Sequence, residues 1–176
     1  MNLPSREYSL KLLKQKNPEN IVKHSLKVEK IALFLASEFE KKGIILNKKF
    51  ISIGALLHDV DKWGQIEKGF EYKKNEQTLA KNGFFELSEM ISKSHLNSIL
   101  KTKLNNWEEK IIFYADKRVN PNDKIVQLKE RFEYVEKKYG KTPKMLKEIK
   151  NSEKLVLELE KELLKVVKNL ELNELK

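Results

Sequence analysis

A chain of 176 residues, 40% apolar and 35% charged, has the length and composition of one soluble globular domain. It contains no cysteine, which excludes disulfides, cysteine-type zinc sites and thiol catalysis. No apolar run approaches the roughly 20 residues that a membrane-spanning helix needs, and the N-terminus lacks the apolar segment of a signal peptide, so we expect a cytoplasmic protein without a membrane partner.

The net charge of +10 is concentrated in residues 1–50, which hold eleven Lys or Arg and five Asp or Glu. Nearly all of the positive charge is lysine, whereas a nucleic-acid surface usually combines arginine with aromatic residues. We therefore interpret the lysines as solvent-facing sides of helices. Nucleic acid is a disfavoured partner on this reading, although the composition leaves it open.

Helical signals begin near the N-terminus. Ser5 is expected to cap a short first helix that ends near Lys16. Asn17 and Pro18 then supply a cap and a proline at the first helical position, and they open a long second helix that stops before Gly43. Apolar residues recur along it mostly at helical spacing.

The middle of the chain predicts a third helix and two short ones. Asn47 is expected to begin a helix that carries an apolar run into His58. Residues 63–74 contain two glycines and are interpreted as a loop. Short helices are expected from Asn75 to Asn82 and from about Phe85 to Lys93.

The last third of the chain predicts three more helices. Asn106, with a glutamate three residues later, forms a capping box at the start of the first. A second is expected from Asp123 to Tyr139, after a break at Asn120, Pro121 and Asn122. Pro143 opens a long charged helix with one apolar stripe: Leu155, Leu159, Leu163, Val166 and Leu170.

Strand signals are nearly absent, so the predicted fold is all-α, a single-domain helical bundle with a long C-terminal helix. The expected organisation is an N-terminal helix over residues 1–16, a core over residues 17–139 and a C-terminal helical extension over residues 140–176. That extension either packs on the same domain or contacts another subunit, as in a homodimer.

Four ligand-type side chains fall on three of these helices, at the ends of apolar runs or among apolar residues: His24, His58, Asp59 and Asp116. Two imidazoles and two carboxylates are a suitable ligand set for one divalent metal with open positions for water and substrate. A simpler interpretation also stands for each residue. A single histidine on a helix is more often a surface or hydrogen-bonded core residue, and His58 at a helix C-terminus would favour the helix dipole.

The order of these residues resembles the HD-domain superfamily of metal-dependent phosphohydrolases. The resemblance covers roughly residues 17–135. It includes NIVKHSLKVEKIALFLA around the first histidine, ISIGALLHDVDKW around the His-Asp doublet and EKIIFYADKRV around the last aspartate. The string HDVDK is similar to the family's HD-x-x-K, and ELSEMISKSHL is similar to the part of many members that places another histidine before the final aspartate.

This resemblance implies that residues 17–139 form an HD-type metal-dependent hydrolase core, with His24, His58, Asp59 and Asp116 as ligands of one divalent metal. Mn, Mg, Fe, Co, Ni and Zn are not distinguished. The implied activity is hydrolysis of a phosphate ester or anhydride in a nucleotide or similar small phosphorylated metabolite, with Asp59 essential for catalysis. Mononucleotides, triphosphates, dinucleoside polyphosphates and cyclic dinucleotides all remain open as substrates.

Four further residues receive roles beside the metal. Lys62, one helical turn beyond His58, is expected to contact phosphate and to assist catalysis, with a surface lysine as the alternative. Asp61 is interpreted as orienting the water or acting as general base, and a solvated carboxylate is its alternative. His95 is expected to contact the substrate or transfer a proton, with a surface histidine as the alternative. Because it is the single candidate for an additional ligand, a one-metal centre is favoured. Lys117 is expected to contact the substrate.

A second class of function also fits the sequence: a binding or regulatory module of the same fold, with little or no catalysis, that acts through a partner such as RNA. Kinases and dehydrogenases are disfavoured because there is no glycine-rich phosphate loop or dinucleotide fingerprint. A serine hydrolase is disfavoured because there is no G-x-S-x-G motif.

Overall fold

The computed structural model describes residues 2–62, 75–167 and 172. In these residues it contains eight α-helices, one 3-10 helix and no strand, and a single isolated antiparallel bridge joins Val119 to Ile125. The all-α prediction is confirmed. The helices are α1 (Arg6–Lys16), α2 (Glu19–Glu40), α3 (Lys48–Leu57), α4 (Asn75–Lys81), α5 (Phe85–Ser92), the 3-10 helix (Leu96–Leu100), α6 (Trp107–Lys117), α7 (Leu128–Tyr139) and α8 (Pro143–Val166).

Helix starts follow local hydrogen bonds that the sequence signals. The Ser5 hydroxyl accepts from the backbone N–H of Tyr8 at 3.1 Å, and the Asn47 side chain accepts from Phe50 at 3.0 Å. Each of these bonds satisfies a backbone donor that the first helical turn leaves without a partner, which stabilises a helix by about 1 kcal/mol. The predicted caps at these two positions are confirmed.

Helix α6 begins with only one of the two hydrogen bonds of the predicted capping box. The Asn106 side chain accepts from the backbone N–H of Glu109 at 2.8 Å, as expected. The Glu109 carboxylate, however, accepts from the N–H of Asn105 (2.7 Å) and from Lys93 (2.8 Å) instead of returning to Asn106. A buried lysine that needs a partner therefore competes for this carboxylate.

Two helix boundaries differ from the prediction. Helix α7 begins at Leu128, not at Asp123, because the bridge from Val119 and the positive φ of Asp123 (57°) hold the preceding segment out of helical conformation. Helix α2 is capped by Pro18, while Asn17 ends α1 and donates its side-chain amide to the carbonyl of Val60 at 2.6 Å. The predicted loop over residues 63–74 lies outside the described residues, as does Leu170.

The core is built around α2, which packs against α3 and α6. Helix α3 is buried on nearly every side, so its C-terminal end lies in the interior. Helix α8 packs against the 3-10 helix, α7 and α6, and its stripe of Ile149, Val156, Leu159 and Leu163 is buried. Each such side chain stabilises the fold by about 1.5–3 kcal/mol, so the C-terminal helix is joined firmly to the body.

None of the helices in the described ranges combines the length and the apolar character that crossing a bilayer requires.

Candidate metal centre

Three helices bring ligand-type side chains to one buried point. His24 lies in the N-terminal half of α2, His58 is the residue that caps the C-terminus of α3, Asp59 follows it directly, and Asp116 lies in the last turn of α6. All four are at least nine-tenths buried. The positions of His58, Asp59 and Asp116 follow from the apolar runs before them, because a helix with a buried end delivers its last residues to the interior. His24 instead lies on the buried face of α2.

The distances show that the four side chains form one cluster. His24 Nε2 lies 3.0 Å from Asp116 Oδ1 and 3.9 Å from Asp59 Oδ2. His58 Nε2 lies 3.4 Å from an oxygen of each aspartate. One ligand atom from each of His24, His58 and Asp59 falls within 4.8 Å of the other two, so this group can hold a metal ion.

The hydrogen bonding of His58 tests whether the residues suit a cation. Its Nδ1 lies 2.7 Å from the carbonyl of Ala55 and must donate there, which turns Nε2 toward the two aspartates. Nε2 is completely buried and makes no well-aligned hydrogen bond in the described part of the chain. A neutral imidazole would thus direct a lone pair at two carboxylates, and either a proton or a metal ion must lie between them. The donor set fits a divalent transition metal.

Both carboxylates are ionised at neutral pH. Burial by itself would raise the pKa of Asp59, but the positive charges of Lys62 and His58 hold that pKa well below its usual range. Burial opposes ionisation of Asp116 in the same way, and the charge of Lys117 together with the two imidazoles lowers its pKa well below the usual range. The aspartates are therefore present as the negative oxygen donors that a metal needs.

The two histidines differ in protonation. Burial lowers the pKa of His24 despite the nearby Asp116. Burial also opposes a charge on His58, but the negative charges of Asp59 and Asp116 outweigh it and raise the pKa of His58 to about 10. Without a metal, the proton of the cluster therefore resides on His58.

A cavity of about 410 Å³ opens above the two aspartates. Lys62, Lys117 and Arg131 supply three cations to its wall. The ammonium of Lys62 contacts Asp59, while that of Lys117 contacts Asp116 and donates to the carbonyl of Ser94 at 2.9 Å. The two aspartates and these three cations therefore give the wall of the cavity charges of both signs.

The structure places most of the predicted site residues together. His95 lines the cavity, as do Lys62 and Lys117. Burial lowers the pKa of His95, so its imidazole is neutral at pH 7. Burial, assisted by the charge of Arg131, also lowers the pKa of Lys117 despite its contact with Asp116.

Asp61 is not among the residues that line the cavity. Its Oδ1 receives hydrogen bonds from Lys16 at 3.1 Å and from Thr78 at 2.8 Å, so it joins α1 to α4. These contacts place Asp61 outside the lining of the cavity, and its role as a water-orienting group or general base stays a prediction. The residue three positions after His58 turns toward the N-terminal helix because the chain leaves helix α3 at His58.

Sequence reasoning missed cavity residues contributed by α7, α8 and the 3-10 helix. Arg131 lines the wall, and its Nε is buried with no hydrogen-bond partner among the described residues. Asn97 and Glu148 also line it, with the Asn97 amide 3.5 Å from a Glu148 oxygen. The one available signal was the scarcity of arginine, of which Arg131 is one of three in the chain. Local sequence patterns do not predict which helix faces pack together above the aspartates.

The chain is similar to an uncharacterized protein of Methanocaldococcus jannaschii, with 28% identity over 158 residues that span 81% of this chain and 91% of that protein. No family model matches the chain, and no solved structure matches it.

Proposed function

We propose that this chain is a metal-dependent phosphohydrolase of the HD-domain type, which cleaves a phosphate ester or anhydride of a nucleotide or similar small phosphorylated metabolite. The observation that supports this best is the buried group of His24, His58 and Asp59 beneath a cavity with three cations in its wall. A solvated surface cluster would not combine ligand-type burial with an adjacent cationic pocket.

Asp116 is the fourth ligand in this proposal, because its Oδ1 approaches both imidazoles. A divalent metal bound here supplies a water of lowered pKa and polarises a phosphoryl oxygen. The backbone hydrogen bond from His58 Nδ1 to Ala55 fixes the ring so that Nε2 faces the site. Asp59 and Asp116 line the cavity and connect the buried imidazoles to the substrate space.

The three cations bind the phosphate. Lys62 and Lys117 each contact one aspartate and balance its charge, so they can turn an ammonium hydrogen toward a phosphoryl oxygen without leaving that aspartate. Arg131 has no carboxylate partner in the described part of the chain and contributes an unbalanced positive charge. His95, neutral at pH 7, accepts or donates one proton near the leaving group.

A metal analysis combined with an activity screen tests this proposal. Protein purified without chelator is expected to contain about one divalent metal per chain, and to release phosphate from at least one phosphorylated metabolite when supplied with Mn²⁺, Mg²⁺, Co²⁺ or Ni²⁺. The Asp116→Asn variant should lose both the metal and the activity. Wild-type protein that binds no metal and hydrolyses none of the substrates would refute the proposal.

A further inference from the structure

The wall of the cavity changes character from one side to the other. The side formed by the end of α3 and by α6 is charged, with Asp59, Lys62, Asp116 and Lys117. The opposite side is formed by α7, α8 and the 3-10 helix, and most of its side chains are apolar: Leu96, Phe132, Val135, Met145 and Ile149. A site for inorganic phosphate alone would have no use for this apolar surface, since phosphate is polar on every side.

The volume of the cavity also exceeds what a phosphate group needs. At about 410 Å³ it falls in the range of sites that hold small organic ligands, roughly 300–1,000 Å³. The apolar wall contains an aromatic ring and branched aliphatic side chains, which are the surfaces against which a flat ring packs well. The organic part of the substrate therefore has a matching surface beside the phosphate position.

Arg131 stands at the junction of the two sides. It precedes Phe132 on α7 and lies four residues before Val135, so all three belong to one helical face. Its buried Nε has no hydrogen-bond partner among the described residues. A guanidinium binds phosphate through its edge and packs against a ring through its face. The Arg131 guanidinium already lies over the Tyr134 ring, with Cζ 5.8 Å from the ring centroid, so its edge is the part that a phosphate can contact.

Among the described residues, Glu148 is the one acidic group on the apolar side. It lies three residues after Met145 and one before Ile149, on the cavity face of α8. The amide of Asn97 approaches its Oε2 only at 3.5 Å, a weak contact for a carboxylate. Since an ionised carboxylate only accepts hydrogen bonds, a ligand that reaches Glu148 gains most when it carries N–H donors.

We propose that this side of the cavity is a subsite for the organic group of a phosphomonoester, a flat ring with an exocyclic amino group such as an amino-bearing nucleobase. In this assignment, which rests on the proposed function, Arg131 connects the ring position to the phosphate and Glu148 determines specificity by accepting from the ring. The substrate is then a mononucleotide-sized phosphomonoester, and the last two helices select it.

Calorimetric binding of uncleavable ligands tests the subsite separately from catalysis. The ligands are the methylenephosphonate analogues of cytidine and uridine 5′-monophosphate and of ribose 5-phosphate, in which CH₂ replaces the ester oxygen. Wild-type protein should bind the cytidine analogue at least about tenfold more tightly than the ribose analogue, because the ring packs on the apolar wall. Equal affinity for these two ligands would overturn the proposal.

Two variants with matched controls separate the role of Arg131 in phosphate binding from the role of Glu148 in ring recognition. Arg131→Gln should weaken binding of all three ligands by about tenfold, while Lys129→Gln, an exposed change on the same helix, should leave them unchanged. Glu148→Gln should reduce the preference for cytidine over uridine by about fivefold and leave the ribose analogue unaffected, in contrast to the exposed Glu158→Gln. If the Glu148 and Glu158 variants show the same preference for cytidine over uridine, Glu148 does not accept a hydrogen bond from the ring.

The result for the ring subsite can be told apart from the result for the proposed hydrolase activity. Ring-selective binding in a protein that hydrolyses nothing would support the subsite and refute the hydrolase. Hydrolysis of small phosphate esters without any ring preference would support the hydrolase and overturn the subsite.

Discussion

Each buried aspartate of the cluster has a lysine close by in sequence. Lys62 follows Asp59 by three residues, and Lys117 follows Asp116 directly, and both ammonium groups contact their aspartates. An unpaired buried carboxylate would cost several kcal/mol, so these lysines stabilise the cluster before any metal or substrate arrives. The same pairing makes the effect of individual substitutions predictable.

Asp59→Ala should abolish hydrolysis while the chain stays folded. The substitution removes a proposed ligand, and the lysine it leaves behind can turn to solvent because the Lys62 side chain is 41% exposed. Turnover, metal content and the circular dichroism spectrum of the same preparation are the measurements. Wild-type turnover with the metal still bound would show that Asp59 is not a ligand.

Lys62→Met should lower kcat/KM by roughly 30- to 1,000-fold, the loss expected when one group that stabilises transition-state charge is removed, or about 2–4 kcal/mol. Metal content should stay nearly unchanged because a protonated lysine is not a ligand. Lys49→Met, on an exposed part of α3, serves as the control. Unchanged catalysis would reduce Lys62 to a partner of Asp59, and lost metal would show that it supports the metal group.

Metal affinity should rise with pH, by up to about tenfold per unit between roughly pH 6.5 and 8.5. In metal-free protein the carboxylates raise the pKa of His58 to about 10, so a metal must displace one proton from Nε2. A raised folded-state pKa also means that His58 stabilises the metal-free fold fully below about pH 6.5, and that this contribution is lost as the pH rises through 10.

Calorimetry in buffers of different ionisation enthalpy counts the released protons, and about one per metal is expected at pH 7.5. His95→Asn is the control, because His95 lies outside the metal group and should not change the count. A metal affinity that is independent of pH would contradict the protonated state assigned to His58.

At the scale of helices, the sequence predicts what depends on neighbouring residues. The caps at Ser5 and Asn47 could be read because a side chain two or three positions from its backbone partner needs no tertiary information. The start of α7 was missed because Asp123 lies in the turn that the bridge of Val119 to Ile125 closes, where its φ is positive. Helix-start signals do not report a bridge of this kind between two residues that flank the predicted start.

The same distinction applies to the candidate site. His24, His58 and Asp116 could be placed together because the resemblance supplied their order, and the apolar runs beside His58 and Asp116 indicated burial. Arg131 and Glu148 could not be assigned to the site from the sequence, since their neighbours in the cavity lie on other helices. The packing of α8 against the 3-10 helix and α7 brings these two side chains to the cavity. Tertiary packing of the C-terminal helix is thus the part of the site that sequence patterns left undetermined.

Polar contacts of Glu160 and of Glu162 join α8 to α6, the helix that carries Asp116, and the contact of Glu160 is the more buried. Glu160 accepts a hydrogen bond from the Tyr114 hydroxyl at 2.6 Å, and Arg118 Nη1 lies 3.4 Å from the same oxygen. Arg118 is buried and also donates to the carbonyl of Val126 at 2.7 Å. Removing the charge of Glu160 leaves a buried guanidinium without its counter-charge.

Glu160→Gln should therefore reduce the free energy of unfolding by about 1–3 kcal/mol. Glu162→Gln, which breaks the more exposed pair with Lys110 on the same helix, should change it by less than about 1 kcal/mol. Urea denaturation of both variants beside the wild type makes the comparison. Equal effects of the two substitutions would show that the contact of Glu160 does not hold α8 in place.

At the scale of the whole molecule, positive charge occurs in two separate settings. The cavity cations lie beside the metal group, whereas the lysines of the first 50 residues are largely exposed on α1, α2 and α3. Several of these surface lysines have acidic neighbours, as in Lys23 with Glu19 at 2.7 Å and Lys48 with Glu40 at 2.5 Å. Pairs of this kind reduce the positive charge that these helices offer to a nucleic-acid backbone.

Generic RNA should consequently bind weakly. Fluorescence anisotropy with a labelled single-stranded RNA at about 0.15 M salt should show no saturation below roughly 10⁻⁴ M protein, the weak end of non-specific nucleic-acid binding. Lowering the salt will strengthen any residual binding because released counterions drive it, so the slope of log affinity against log salt counts the phosphates contacted. Tight binding at physiological salt, together with no hydrolysis of any small phosphate ester, would favour the RNA-associated module over the hydrolase. Replacing Lys11, Lys14 and Lys30 by glutamine should leave hydrolysis unchanged, since these side chains are exposed and are not among the residues that line the cavity.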